Sequence, residues 1–233
     1  MRNDSAQNKT LLSDTLCRPE SVMPPVLVPA ALPAVLQILD ELYGTTKQGF
    51  CHQADWQLLC AIMLSAQSTD QQVEEVLPKL FSDFPDLETA AAAPLSEIEA
   101  DIRSVGLYKS KAAHIKACCV QLLNEFHGTV PKTIPELLRL SGVGRKTATL
   151  FLADQYGIPG VTVDTHVFRI SHRLGWAQGK TPAAVEQELM RLLPEDHWNR
   201  INFQLIYLGR SFCTSRKAKC ETCPLAAYCP KLL

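Results

Sequence analysis

The sequence predicts an all-α protein. After residue 30, apolar residues recur at helical spacing through most of the chain. No hairpin dipeptide separates alternating segments, and Val161 to Val163 is the one short β-branched stretch.

Taken in order, residues 1–30 lack periodicity and hold polar and proline clusters, the pattern of a mobile leader. Val35, Leu36, Leu39, Leu42 and Tyr43 share the face of a first helix, with Gly44 as its stop. Trp56 to Leu64 is an apolar run that fits a buried helix. A polar turn from Ser65 to Asp70 leads into a helix with Val73, Val76, Leu77 and Leu80 on one side. Lys109 to Phe126 continues the pattern, with Ile115, Cys118, Cys119, Leu122 and Leu123 inward. Pro135 opens a short helix to Leu140, and Arg145 to Gln155 forms the next. Thr165 to Leu174 follows, closed by Gly175, and two more helices run from Thr181 to about Gly209.

The chain has 233 residues, 46% hydrophobic and 20% charged, enough for one domain or two small ones sharing an interface. No secretory signal opens it. The apolar stretch from Val22 to Leu39 is broken by Pro24, Pro25, Pro29 and Pro33, whereas a spanning helix needs ~20 uninterrupted apolar residues. No membrane partner and a cytoplasmic location are therefore expected. The net charge of −1 argues mildly against a nucleic-acid partner, yet it averages opposed local fields. Arg210, Arg216, Lys217 and Lys219 stand together without an acid, while Asp86 to Asp101 holds five acids and no base.

Three constellations bear chemistry. In Leu140-Ser-Gly-Val-Gly-Arg-Lys-Thr-Ala148, Gly142 and Gly144 permit a tight hairpin between helices. The backbone N–H groups at the start of the following helix then form a phosphate site that ignores base sequence. An ordinary helix–turn–helix corner would use the same glycines. Lys146 falls in the first turn beside Arg145, where the helix dipole favours acids. The positive potential there disfavours an ammonium ion, as an amine nucleophile requires; a solvated surface lysine is the alternative. In Val161-Thr-Val-Asp-Thr-His-Val167, Asp164 suits a helix N-cap, and one carboxylate oxygen can cap while the other faces a site. His166 beside it suits packing or capping. Finally, of nine cysteines, Cys17, Cys51, Cys60, Cys118 and Cys119 are scattered, and the apolar faces around Cys60, Cys118 and Cys119 mark them as core. The other four form Cys213-x6-Cys220-x2-Cys223-x5-Cys229, a spacing that points to metal rather than disulfides. It differs from the paired spacing of a zinc ribbon without choosing between zinc and iron–sulfur.

Together and in this order, the three motifs resemble the endonuclease III family of helix-hairpin-helix glycosylases, from about Trp56 to Cys229. The resemblance implies two helical domains. One is a six-helix barrel over 50–158 that holds the hairpin at about 135–156. The other combines 31–49 with 159–233, where Cys213, Cys220, Cys223 and Cys229 bind a [4Fe-4S] cluster within the loop 213–229. The cleft between them receives a base flipped from damaged double-stranded DNA. The resemblance also gives Lys146 the role of nucleophile and Asp164 that of its assistant. Gln67, in Leu-Ser-Ala-Gln-Ser-Thr-Asp, and Leu107, in Val-Gly-Leu-Tyr-Lys-Ser-Lys, match residues that fill the gap left by the extruded base. Gly142, Gly144, Arg145, Arg216, Lys217 and Lys219 would meet the DNA backbone. The implied activity is removal of oxidised or ring-saturated pyrimidines, then strand cleavage by β-elimination, carried out by a monomer near the nucleoid.

One departure is visible: Ser141 stands where the family's hairpin carries proline. Three other classes fit less of the sequence. An adenine-removing relative lacks a lysine at the Lys146 position, a non-catalytic DNA-binding module needs neither Lys146 nor Asp164, and an electron-transfer protein needs only the four cysteines.

Overall fold

The computed structural model describes residues 31–46, 50, 52 and 54–232; the leader, Cys17 and Cys51 lie outside them. Among the described residues the regular structure is entirely helical. The helices are α1 (Leu32–Tyr43), α2 (Asp55–Ser65), α3 (Asp70–Asp83), α4 (Leu87–Ala92), α5 (Leu95–Asp101) and α6 (Tyr108–Phe126). They continue with α7 (Ile134–Leu137), α8 (Arg145–Tyr156), α9 (Thr165–Arg173), α10 (Pro182–Leu192) and α11 (Trp198–Ser211). None is long and apolar enough to cross a membrane.

The helices pack around two hydrophobic cores. The first draws on Phe50 and α2 to α8, ending at Leu152. α2 is its axis: every residue from Trp56 to Leu64 is buried, so an all-round apolar sequence becomes a helix with no solvent face. α3 lays Val73, Val76, Leu77 and Leu80 against it, and α6 contributes Ile115, Cys118, Cys119 and Leu122. The second core joins α1 to α9, α10 and α11, with Leu225 from the C-terminal loop. The first and the last described helices therefore meet in one core while those between α1 and α9 form the other.

Helix boundaries follow local chemistry. Thr69 caps α3 in a reciprocal box with Gln72, and Thr181 accepts from Ala184 N–H ahead of Pro182 in α10. Gly44 ends α1 with φ 76°, a left-handed backbone that suits glycine.

Some expectations are corrected. Leu42 is 51% exposed, and Leu32 takes its place on the inward face of α1. The helix expected from Pro135 to Leu140 is a single turn, Ile134–Leu137, because the hairpin begins directly after it. α4 and α5 were hidden in an acid-rich stretch of alanines. They form because Asp86 caps Thr89 N–H at 2.8 Å and because Ala90 and Ala93 are small enough to bury.

In the second core α9 crosses α11 at Gly209. A Cβ there would lie 2.4 Å from His166 Nδ1 and 2.9 Å from Arg169 Nη2. Gly209→Ala must displace the His166 ring and the Arg169 guanidinium that fill this crossing, and overpacking of this kind costs roughly 1–3 kcal/mol. Thermal unfolding should show that loss, and an unchanged Tm would contradict the crossing.

Candidate active site at the start of two helices

The hairpin between α7 and α8 is anchored from inside by Leu140 and Val143, 3% and 6% exposed. Gly142 has φ 76°, and a Cβ on it would lie 2.7 Å from His114 Cβ and Met63 Cε. No other residue fits that position. Ser141 brings an N–H that a proline lacks, and α6 satisfies it. The N–H donates to Gln121 Oε1 at 2.7 Å, and Ser141 Oγ lies 3.0 Å from His114 Nδ1. Gln121 Nε2 also donates to Arg139 O at 3.2 Å, so α6 grips the turn from both sides.

Gly144, the N-cap of α8, is extended (φ −92°, ψ 173°) and supplies no side-chain cap. No acid occupies the first turn, and a Cβ on Gly144 would meet nothing within 4 Å. Among the described residues, the start of this 12-residue helix has no side-chain cap. Lys146 stands in that turn with its side chain exposed.

α9 begins differently. Asp164 Oδ1 accepts from both His166 N–H and Val167 N–H at 2.8 Å, leaving Oδ2 without a hydrogen bond among the described residues. His166 marks the meeting place. Burial pushes its pKa down, Asp164 raises it, and the positive charges of Arg169, Arg210 and Lys146 lower it further. Lys146 on the first core and Asp164 on the second therefore share one electrostatic neighbourhood.

Arg145 is engaged elsewhere. Its Nε donates to Glu186 Oε2 at 2.7 Å and its Nη2 to Glu186 Oε1 at 2.9 Å. The Glu186 side chain is 11% exposed, so this forked pair ties the start of α8 to α10 across the two cores. Sequence offered no signal for Glu186, since its partner lies 41 residues away.

Gln67 and Leu107 are both exposed and both left-handed, with φ 57° and 58°. Their loops touch: a Cβ on Gly106 would sit 3.1 Å from Gln67 O.

Cys213, Cys220, Cys223 and Cys229 border one small cavity beside Arg173 and Phe212. No three His, Cys, Asp or Glu side chains among the described residues converge on a single-ion position. The four thiols of this loop are the side chains here that could hold a metal group. Hydrogen bonds reach the sulfurs from Arg173 Nη1 to Cys213 Sγ (3.4 Å) and from Lys231 N–H to Cys229 Sγ (3.3 Å), as thiolate ligands favour. Arg173 also holds Thr214 O at 2.8 Å, and Arg169 Nη2 donates to Cys213 O at 3.0 Å. These arginines, four apart on one face of α9, were missed in the sequence, although their spacing marks a shared target. Arg216, Lys217 and Lys219 are exposed on the loop so held, and no hydrogen bond or ion pair joins them to Lys146.

Known proteins match this architecture. The HhH-GPD family model, described as a superfamily of base excision DNA repair proteins, covers residues 60–195. The endonuclease III of Synechocystis sp. is 44% identical over 197 residues, 84% of this chain and 90% of its own length. That of Bacillus subtilis is 39% identical over 195 residues, 83% of this chain and 89% of its own. Among solved structures, an endonuclease III trapped as a covalent intermediate with DNA superposes with a TM-score of 0.80 at 35% identity. That superposition covers 88% of this chain and 97% of the other. A thermostable thymine-DNA glycosylase, 23% identical with a TM-score of 0.74, shares the fold. The chain belongs to the endonuclease III family of the HhH-GPD superfamily, whose members are base excision DNA repair enzymes.

Proposed function

We propose that this DNA glycosylase and abasic-site lyase removes oxidised or ring-saturated pyrimidines through Lys146 and Asp164, in the seam between domains 50–158 and 31–49 plus 159–233. The observation that carries this reading is the pairing of a lysine at an uncapped helix start with a carboxylate oxygen left free by its own cap. The enzyme acts as a monomer on damaged double-stranded DNA in the cytoplasm, at the nucleoid.

Damaged bases pair and stack poorly, so their extrusion is favoured, with Gln67 and Leu107 filling the vacated space. The free N–H groups of Gly144 and the α8 start take a backbone phosphate across the Gly142 turn. The lone pair of neutral Lys146 Nζ forms a bond to the sugar C1′, and the bond from C1′ to the base nitrogen breaks. The base departs with a proton. Asp164 Oδ2 stabilises positive charge on the sugar and accepts a proton from the attacking amine. Ring opening then leaves a protonated imine between Lys146 and C1′. Loss of a C2′ proton drives out the 3′ phosphate oxygen, cutting the strand on that side.

Cys213, Cys220, Cys223 and Cys229 are the residues that would hold a [4Fe-4S] cluster. When bound, the cluster supplies a fixed shape to the loop 213–229, rather than a reacting atom. Arg169 and Arg173 orient the same loop so that Arg216, Lys217 and Lys219 meet phosphates. Arg145 keeps Nη1 for the DNA backbone while its other nitrogens hold Glu186.

Three outcomes test this reading. Borohydride should trap the parent on duplex DNA containing thymine glycol, and Lys146→Gln should give no covalent band. A band from the variant would remove Lys146 as nucleophile. Gly144→Ser should keep or raise Tm, because serine caps helices well, yet weaken DNA binding as its Oγ takes the N–H groups meant for phosphate. Unchanged affinity in a titration at fixed salt would contradict the phosphate site. Glu186→Gln should lower stability by roughly 1–3 kcal/mol and slow single-turnover base removal, because the forked pair sets the position of α8. A double-mutant cycle with Arg145→Met should be strongly non-additive, and additive losses would show that the pair does not act as a unit.

A further inference from the structure

The sequence marks Lys111 only as one polar residue of a long helix, yet it is among the most buried charged side chains described, at 7% exposure. Both of its hydrogen-bond partners among the described residues are uncharged. Nζ donates to Leu64 O at 2.8 Å and to Ser68 Oγ at 2.9 Å. Burial pushes its pKa down, with no charged neighbour contributing. Burying an ammonium without a counter-ion is costly, and a methionine would fill the same space without that cost.

What the lysine touches gives the reason. Leu64 lies in the last turn of α2, at the negative end of the helix dipole; Ile62 O, Met63 O and Ser65 O there accept from Ser65 Oγ, Ala66 N–H and Ser68 N–H, and Leu64 O takes the Lys111 ammonium. No basic residue of α2 itself serves that turn. Ser68 directly follows Gln67. The backbone N–H of Lys111 donates to Leu107 O at 3.1 Å. A single residue thus fastens both loops: the head of the side chain holds the Gln67 turn, and the backbone closes the first turn of α6 over Leu107. Gln67 and Leu107 are the two left-handed, non-glycine residues in these loops, φ 57° and 58°. Such backbones persist only where neighbours over-determine them. Gly106 lets the loops approach until a Cβ would sit 3.1 Å from Gln67 O and 3.6 Å from Ser68 Oγ.

We propose that Lys111 is a positioning residue that locks the Gln67 and Leu107 loops into one rigid two-pronged plug, so that both prongs enter the duplex in register during base extrusion. The proposal rests on the assignment of Gln67 and Leu107 as the residues that fill the extruded base's place. It gives Lys111 no contact with substrate; its effect falls on extrusion and not on the chemistry of Lys146.

Extrusion and chemistry can be read separately. Lys111→Met keeps the packing and removes the donors. Ser68→Ala removes one acceptor and leaves the lysine its carbonyl partner, so it remains informative if Lys111→Met folds poorly. Each would be compared with the parent, and with Gln67→Ala and Leu107→Ala. The readouts are 2-aminopurine fluorescence beside a thymine glycol in duplex DNA, the single-turnover rate on that duplex, and borohydride trapping on a single-stranded abasic oligonucleotide that needs no extrusion. Losing a charged hydrogen bond predicts a fall of roughly 10- to 100-fold in the duplex rate for Lys111→Met, with a smaller fall for Ser68→Ala. The 2-aminopurine signal should fall in parallel, while single-strand trapping stays within about twofold of the parent, because the Lys111 side chain hydrogen-bonds neither Lys146 nor Asp164. A normal extrusion signal in both variants, while Gln67→Ala and Leu107→Ala lose it, would overturn the role of Lys111. Equal losses on duplex and single strand would overturn it too, by showing a merely structural lysine. A normal signal in Gln67→Ala and Leu107→Ala would instead remove the plug assignment itself, and the proposal with it.

Discussion

The site depends on a helix start that refuses its usual partners. α8 opens with Gly144 in place of a capping side chain and carries Arg145 and Lys146 where acids are favoured. Two unfavourable features coincide there: donors without acceptors, and cations on the positive end of a dipole. Both become favourable once an anion approaches and an amine must be neutral to react. The neighbouring start of α9 is capped in the ordinary way, and its acid spends one oxygen on the backbone while keeping the other. Chemistry sits between an uncapped helix and a half-used cap.

Holding those two starts together is the task of the wider fold. The first core buries α2 from Trp56 to Leu64 and lets α6 grip the hairpin through Gln121 and His114. The second core packs α9 against α11 through the missing side chain of Gly209. Between the cores, Arg145 and Glu186 form a forked pair whose carboxylate is largely buried. On the far side of α9, Arg169 and Arg173 reach the cysteine loop. One helix therefore joins the carboxylate at its start to the loop of thiols near its end, so that the loop's shape and the site's geometry share a rigid support.

Much of this was legible in the residues. Long helices showed through the spacing of Val73, Val76, Leu77 and Leu80 or of Ile115, Cys118 and Leu122, because each must bury one face. The three motifs marked the hairpin, the cap and the thiol loop because their chemistry is local. Short α4 and α5 were not legible, since six or seven residues give too few repeats for a period. Glu186 and Lys111 were opaque for another reason. Each is an ordinary charged residue of an amphipathic helix until the fold brings it a partner 41 or 47 positions away. Ser141 sits between these cases: its departure from the family's proline was plain, and only the structure shows the acceptor that makes it tolerable.

The most direct test of the central claim separates the two duties of Asp164. Asparagine caps helices as well as aspartate does, so Asp164→Asn should leave Tm and duplex affinity close to those of the parent. It removes the charge and the basicity at Oδ2, so single-turnover base removal should fall about 10²- to 10⁴-fold, the usual contribution of a positioned acid–base group. A variant that folds, binds DNA and removes the base at the parental rate would reduce Asp164 to a cap and contradict the paired-helix site.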